Sequence, residues 1–348
     1  MSELPLNPRS PLLPDRHPEP DFFVADIFDA TPKGDQASME HPLFTLATKP
    51  DMESQEYRHG DIFVNIGPSP IGRATVHDRD ILIYCISQMM ARINEGRKVS
   101  RTMRFNPHDL MVVTNRDVSG RGYLNFKQAL KRLQGTQIET NIQMGGKEQW
   151  NVFSLIADAT IVRETRDGRM QEVEITLSNW LFDAIEAKGR DLLTLHRDYF
   201  RLRKPLERRL YEIARKHCGH QKSFRIGLQR LQEKAGSQSS IYEFRRLISK
   251  IVSDNASHQH IPEYDFAFDG DFLDIYRREE GGALPSPAKR GLIVSDSARE
   301  RAKKHAKGWD IYALEAEWRD WVTSKAIEVQ NADAHFVTFA KQRGPYKR

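Results

Sequence analysis

Ser240-Ile241-Tyr242-Glu243-Phe244-Arg245-Arg246-Leu247-Ile248-Ser249-Lys250-Ile251 is the stretch on which the fold turns. Ser240 followed three residues later by Glu243 fits a capping box, in which a hydroxyl and a carboxylate satisfy the amides that open a helix. Phe244, Leu247, Ile248 and Ile251 then fall on one face of that helix, turned toward a core. Downstream, Tyr264, Phe266 and Phe268 alternate as on a strand, Asp269-Gly270 is a hairpin turn, and residues 272–276 return. Upstream, residues 206–217 read as a helix followed by Gly219, and residues 228–235 as a short helix closed by Gly236. Three helices followed by a hairpin is the order of a winged-helix domain.

The same order occurs earlier in the chain. Residues 80–94 read as a buried helix, nearly all apolar from Ile81 to Ile86, with Gly96 at its end. Asn106-Pro107 opens a second helix with a capping side chain and a proline at the first position. Gly122 leads into residues 123–133, where Phe126, Ala129, Leu130 and Leu133 repeat the spacing of Phe244, Leu247, Ile248 and Ile251. Ile138, Thr140, Ile142 and Met144 alternate before Gly145-Gly146 and a second extended run over residues 150–162, which predicts a hairpin. Asp167-Gly168 then turns into Val173, Ile175 and Leu177.

The expectation is an α+β chain of tandem winged-helix domains. A disordered leader occupies residues 1–39, the first domain residues 40–195, the second residues 196–280, a linker residues 281–298 and a helical tail residues 299–348. Prolines at 5, 8, 11, 14, 18 and 20 mark the leader, and an apolar patch from Phe22 to Phe28 interrupts it as a segment that docks on a partner or on the chain's own core. In the tail, residues 295–307 read as a basic helix and Ile311, Leu314, Trp318 and Trp321 as an apolar stripe. That stripe packs on the body, on its neighbouring helix, or on a partner.

Composition narrows the function. With 348 residues, 39% of them hydrophobic and 29% charged, the chain has the make-up of a folded protein with a well-charged surface. No stretch approaches a membrane span, and the N-terminus lacks the basic-then-apolar pattern of a secretory signal. Two cysteines far apart, Cys85 and Cys218, make no disulfide framework and suit a reducing cytoplasm. Net charge is +5, but residues 201–251 hold 14 Lys/Arg against 4 Asp/Glu. Such a local excess is either a solvated basic face or the footprint of a nucleic-acid binder.

Helical geometry sorts the basic residues. With Phe244 and its partners inward, Ser239, Tyr242, Arg246, Ser249 and Lys250 point outward and Arg245 lies on the flank. Arginine pairs bidentately with guanine in the major groove, while lysine and serine more often grip phosphate. Arg225, beside the second helix, is placed to contact backbone. In the first repeat the corresponding face holds Arg121, Asn125, Gln128, Lys131 and Arg132, and Asn or Gln can pair with adenine. The second hairpin carries Glu263, Asp265, Asp269, Asp271 and Asp274, carboxylates that phosphate would repel.

Catalytic patterns are scarce. Gly146-Lys147 has Asn141 where a phosphate-binding loop needs its first glycine and Glu148 where it needs a hydroxyl. His258-Gln259-His260 with Tyr264 is similar to the two histidines and tyrosine of rolling-circle nicking enzymes, but those carry an apolar residue between the histidines. His217-Cys218-Gly219-His220 is too crowded for the usual paired spacing of metal ligands. The expectation is therefore no enzyme, no cofactor and no metal.

Two longer blocks carry a family resemblance. Gly120-Arg121-Gly122-Tyr123 with residues 129–142, and the run from Asp198-Tyr199-Phe200-Arg201 through Leu210-Tyr211-Glu212-Ile213-Ala214-Arg215-Lys216-His217-Cys218-Gly219, resemble the plasmid replication initiators of the replication initiator protein A family. The likeness covers residues 40–278, with looser similarity from Gly308 to Trp318. It implies a protein that binds directly repeated origin sites, called iterons, on double-stranded DNA as a monomer and helps open adjacent AT-rich DNA for host replication proteins. It also implies dimerisation through the first domain and repression of its own promoter. By this likeness Tyr242, Arg245, Arg246, Ser249 and Lys250 are the principal major-groove readers. A dedicated transcription repressor of the same fold and a nicking enzyme are the alternatives.

Overall fold

The computed structural model describes residues 11–17, 25–26, 43–59, 62–141, 150–164, 170–188, 193–218, 222–278, 294–307, 309–325, 327, 329 and 331–345. Helices and strands mix throughout. The chain forms two compact units, the first running to Lys216 and adding Glu233–Gln238 and His260–Pro262, the second taking His217–Gln232, Ser239–Gln259 and the residues from Glu263 onward. This division falls elsewhere than 195/196, because the helix over 205–216 buries its charged side chains in the first unit. The Gly145-Gly146 and Asp167-Gly168 turns, Gly219, Gly281-Gly282 and most of the 22–28 patch lie outside the described residues.

The first unit begins with β1 (Ala25–Asp26), β2 (Gln55–His59), β3 (Ile62–Gly67), α1 (Arg79–Asn94), β4 (Thr102–Phe105), α2 (Pro107–Val113) and α3 (Gly120–Gly135). It continues with β5 (Gln137–Thr140), β6 (Asn151–Ser154), β7 (Ile156–Glu164), β8 (Met170–Leu177), α4 (Asn179–Lys188) and β9 (Leu193–Thr194). A 3-10 turn, Arg197–Arg201, precedes α5 (Pro205–Cys218). One antiparallel sheet runs β2-β3-β5-β6 and another β4-β8-β7, while β1 pairs with β9. The apolar face of α1, from Ile81 to Met90, shares one core with Phe126, Ala129, Leu130 and Leu133 of α3 and with Ile138, Val173, Ile175 and Leu177.

Local chemistry explains the element ends. The Asn106 side chain accepts from the His108 amide at 2.9 Å, with Pro107 at the first helical position, as the sequence predicts. α3 starts at Gly120, two residues before Gly122. A Cβ on Gly122 would sit 1.7 Å from the Asp117 carbonyl oxygen, so this turn closes only on glycine. The run over 150–162 is two strands, not one. Leu155 and Ile156 are both fully buried where the chain changes partner, β6 pairing with β5 and β7 with β8.

Part of the leader is held in place. The Leu13 amide donates to the Arg201 carbonyl at 2.9 Å, the Arg16 amide to Asn115 Oδ1 at 2.8 Å, and Asn115 Nδ2 to the Pro14 carbonyl at 3.1 Å. Residues 11–17 thus depart from the expected disorder by supplying backbone bonds to two distant turns.

The second unit contains β10 (Ser223–Gly227), most of α6 (Leu228–Ala235), α7 (Ile241–His258), β11 (Tyr264–Asp269) and β12 (Phe272–Arg277), then α8 (Asp296–His305), α9 (Ile311–Ser324) and α10 (Ala332–Arg343). Its sheet runs β10-β12-β11, antiparallel, with the predicted Asp269-Gly270 turn joining β11 to β12. Gly270 has φ +59°, the left-handed value that suits glycine at a tight hairpin. The sequence pattern predicts no strand over residues 223–227, where β10 forms. Helices α8, α9 and α10 enclose their own core of Val294, Leu314, Trp318, Phe336 and Ala340, so Ile311, Leu314 and Trp318 of the stripe pack within the tail. Trp321 remains 38% exposed beside Phe339 and His335.

Candidate nucleic-acid interface

α7 is built as a rigid presenter. Ser240 Oγ accepts from the Glu243 amide at 3.2 Å, while the Glu243 carboxylate turns to Arg246, so half of the capping box forms. Phe244, Ile248 and Ile251 are buried as expected, and Leu247 is half-buried. The far end closes on Gln259 in the left-handed region at φ 49°. What remains outward is Tyr242 at 80% exposure, Arg246, Ser249 and Lys250, with Ser239 half-buried just before the helix. Arg246 meets Glu243 at 2.6 Å and Lys250 faces Asp254 at 3.9 Å, both solvent-exposed pairs that a stronger anion can displace. Arg245 donates to the Gly270 carbonyl at 3.1 Å, pairs with Asp271 and lies 5.7 Å over the Phe268 ring, so it braces the hairpin. Ile241, 46% exposed, extends the same face with an apolar group that sequence reasoning missed, since apolar residues in a helix are assigned to the core.

The acids of the hairpin are matched by arginines. Asp265 pairs with Arg278 at 2.7 Å, Asp271 with Arg245, and Asp274 with Arg225 at 2.6 Å. The expectation that Arg225 contacts DNA backbone is corrected here: Arg225 lies on β10, 8% exposed, bonded twice to Asp274 and once to Asp269. The Asp274 hydrogen bond, working against burial, raises the Arg225 pKa above its ordinary value. Part of the basic count over 201–251 is therefore structural. Arg208, Arg209 and Arg225 are buried in ion pairs with Asp80, Glu212 and Asp274.

On α3 the outward face is largely as expected. Arg121, Asn125, Gln128 and Lys131 are exposed. Arg132 is not free: its guanidinium grips Asp78 at 2.7 and 2.8 Å. Leu124 stands among these polar groups at 60% exposure.

The remaining candidates look structural. Tyr264 is fully buried and its hydroxyl faces no solvent. His260 is buried with Nε2 3.1 Å from Glu207 Oε1. His217 stacks on Phe224 with centroids 4.2 Å apart, and Cys218 Sγ lies 3.8 Å from the Ile275 carbonyl oxygen. Among the described residues no cluster of three metal-ligating side chains occurs, and no helix is long and apolar enough to cross a membrane.

Known proteins place this architecture. Over 67% of this chain and 94% of the other, the fold matches domains 2 and 3 of RctB with a TM-score of 0.50 at 11% identity, a likeness of fold alone. The model of the family described as replication initiator protein A matches residues 33–266. A protein of Wigglesworthia glossinidia brevipalpis named "Putative replication protein" is 36% identical over 252 residues, covering 71% of this chain and 89% of that protein. The chain belongs to the replication initiator protein A family.

Proposed function

We propose that this replication initiator binds repeated origin sequences in double-stranded DNA, with α6, α7 and the β10-β12-β11 sheet acting as a winged-helix reader. The observation that carries the reading is α7, an 18-residue capped helix with its apolar half buried and Tyr242, Arg246, Ser249 and Lys250 outward on successive turns. Arg246 is the candidate for guanine O6 and N7, Ile241 for a thymine methyl, and Ser249 and Lys250 for phosphate. The exposed face of α3 supplies a second contact through Arg121, Asn125, Gln128 and Lys131. Origin opening for host replication proteins, pairing of two copies through the first unit and repression of the chain's own promoter complete the proposal. The protein acts by binding rather than by cutting, a view supported by the burial of Tyr264.

The test is equilibrium binding to origin-repeat duplex and to scrambled duplex over a salt series. We expect a preference of about 10³-fold or more for the repeats, with affinity falling as salt rises. Arg246→Ala with Lys250→Ala should abolish that preference without lowering the unfolding midpoint. An unchanged preference in this double variant would remove α7 as the reader. Normal plasmid copying after deletion of the protein would replace initiation with repression alone, and a covalent DNA–tyrosine adduct would replace both with nicking.

A further inference from the structure

A cavity of about 520 Å³ opens in the first unit, within the range of small-molecule sites. It is lined by six cations, Arg16, Lys49, Arg73, Arg116, Arg132 and Arg208, against three carboxylates, Asp78, Asp80 and Asp117. The carboxylates are already engaged. Asp78 holds Arg132 at 2.7 Å, Asp80 holds Arg208 at 2.6 Å and lies 3.6 Å from Arg116, and Asp117 accepts from the Ser119 amide and hydroxyl. Positive charge remains over.

Three observations say where that excess points. Arg73, 2% exposed, bonds to Asp51 and Gln55 through its terminal nitrogens, yet its buried Nε–H has no acceptor. That nitrogen is closed off from solvent, so Arg73 acts on the cavity only through its charge, which Asp51 offsets. The His77 imidazole on the same wall is held well below its ordinary pKa by burial and then by the charges of Arg208 and Arg116, so it stays neutral in a positive field. Arg16 and Lys49 are exposed at the rim, where they can close on a ligand. Arg16 is delivered there by the leader, whose backbone is pinned to Asn115.

We propose that this cavity binds a small oligophosphate anion, a free pyrophosphate-like ion or the phosphates of a nucleotide. Arg16 and Lys49 clamp it at the rim. Several fixed cations around a recess a few hundred Å³ in size favour a compact multivalent anion over a rod of singly charged phosphodiesters. The site is independent of the α7 face, so either assignment can fail alone.

The experiment is calorimetric titration of the full chain at low ionic strength with sodium pyrophosphate, ADP and adenosine, beside thermal unfolding in each. Pyrophosphate is expected to bind and raise the unfolding midpoint, and adenosine to do neither. ADP binding tighter than pyrophosphate would identify a nucleotide, and equal or weaker binding a free anion. Arg16→Ala with Lys49→Ala, two exposed positions, should weaken pyrophosphate about tenfold or more. Arg301→Ala with Lys304→Ala, removing the same charge from exposed sites on α8, should not. No binding by pyrophosphate or ADP at millimolar concentration overturns the proposal. So does equal weakening by both double variants, which would mean diffuse attraction, or displacement of pyrophosphate by duplex DNA, which would make the cavity part of a DNA groove.

Discussion

Arg225 and Arg246 carry the same guanidinium, and their surroundings give it opposite tasks. Arg225 is locked to Asp274, which is fully buried. Arg225→Ala would strand that carboxylate and should cost about 3–5 kcal/mol in urea unfolding, far beyond any direct loss of DNA contact. Arg246→Ala breaks only a solvated pair and should leave the unfolding midpoint in urea unchanged. Gly122→Ala must push the Asp117 carbonyl aside, and a loss of about 2 kcal/mol or more is expected in the same assay. Burial pushes the Cys85 and Cys218 thiols up from 9.0 to about 12. The native state therefore holds these protons more tightly than the unfolded chain. Their contribution is intact below about pH 9 and declines as pH rises toward 12. A thiol reagent at pH 8 should label neither cysteine in the native protein and both after denaturation.

At the scale of elements, α7 depends on its ends. Ser240→Ala should cost about 1 kcal/mol and fray the first turn, which amide exchange would register as faster exchange at Tyr242 and Glu243. This helix was legible because its signals agree: a cap, an apolar face of period 3.6 and a turn after it. The strands were less so. β10 spells Ser223-Phe224-Arg225-Ile226-Gly227, and Arg225 is buried next to two buried apolar residues, so alternation fails there. Only the long-range partner Asp274 rationalises it, and no local pattern reveals a partner 49 residues away. The same limit hid the matching of the hairpin acids. Taken as a row, Asp265, Asp271 and Asp274 read as a repulsive wing; folded, each sits against an arginine from elsewhere. The oligophosphate cavity was invisible for a stronger reason, since its cations come from six separate segments between Arg16 and Arg208.

At the scale of the whole chain, the tail is a packed body and should behave as one. Trp318→Ala empties a fully buried site in the core of α8, α9 and α10 and should cost about 3–5 kcal/mol. Hydrogen exchange should then show lost protection in α8–α10 while α1 and α3 keep theirs. The first unit is not contiguous in sequence, and this has a consequence for synthesis. Arg209 donates twice to the Lys234 carbonyl, Gln55 donates to that of Gly236, and Glu207 meets His260. A ribosome delivers those partners late. A nascent chain halted after Lys216 would carry the buried Arg209 and Glu207 with Glu212 and Lys204 in place, but with one further partner each, the Lys234 carbonyl and His260, still untranslated. The first unit can therefore close only after Pro262 has cleared the exit tunnel, and chains cut short by a premature stop codon should reach the cell's proteases unfinished.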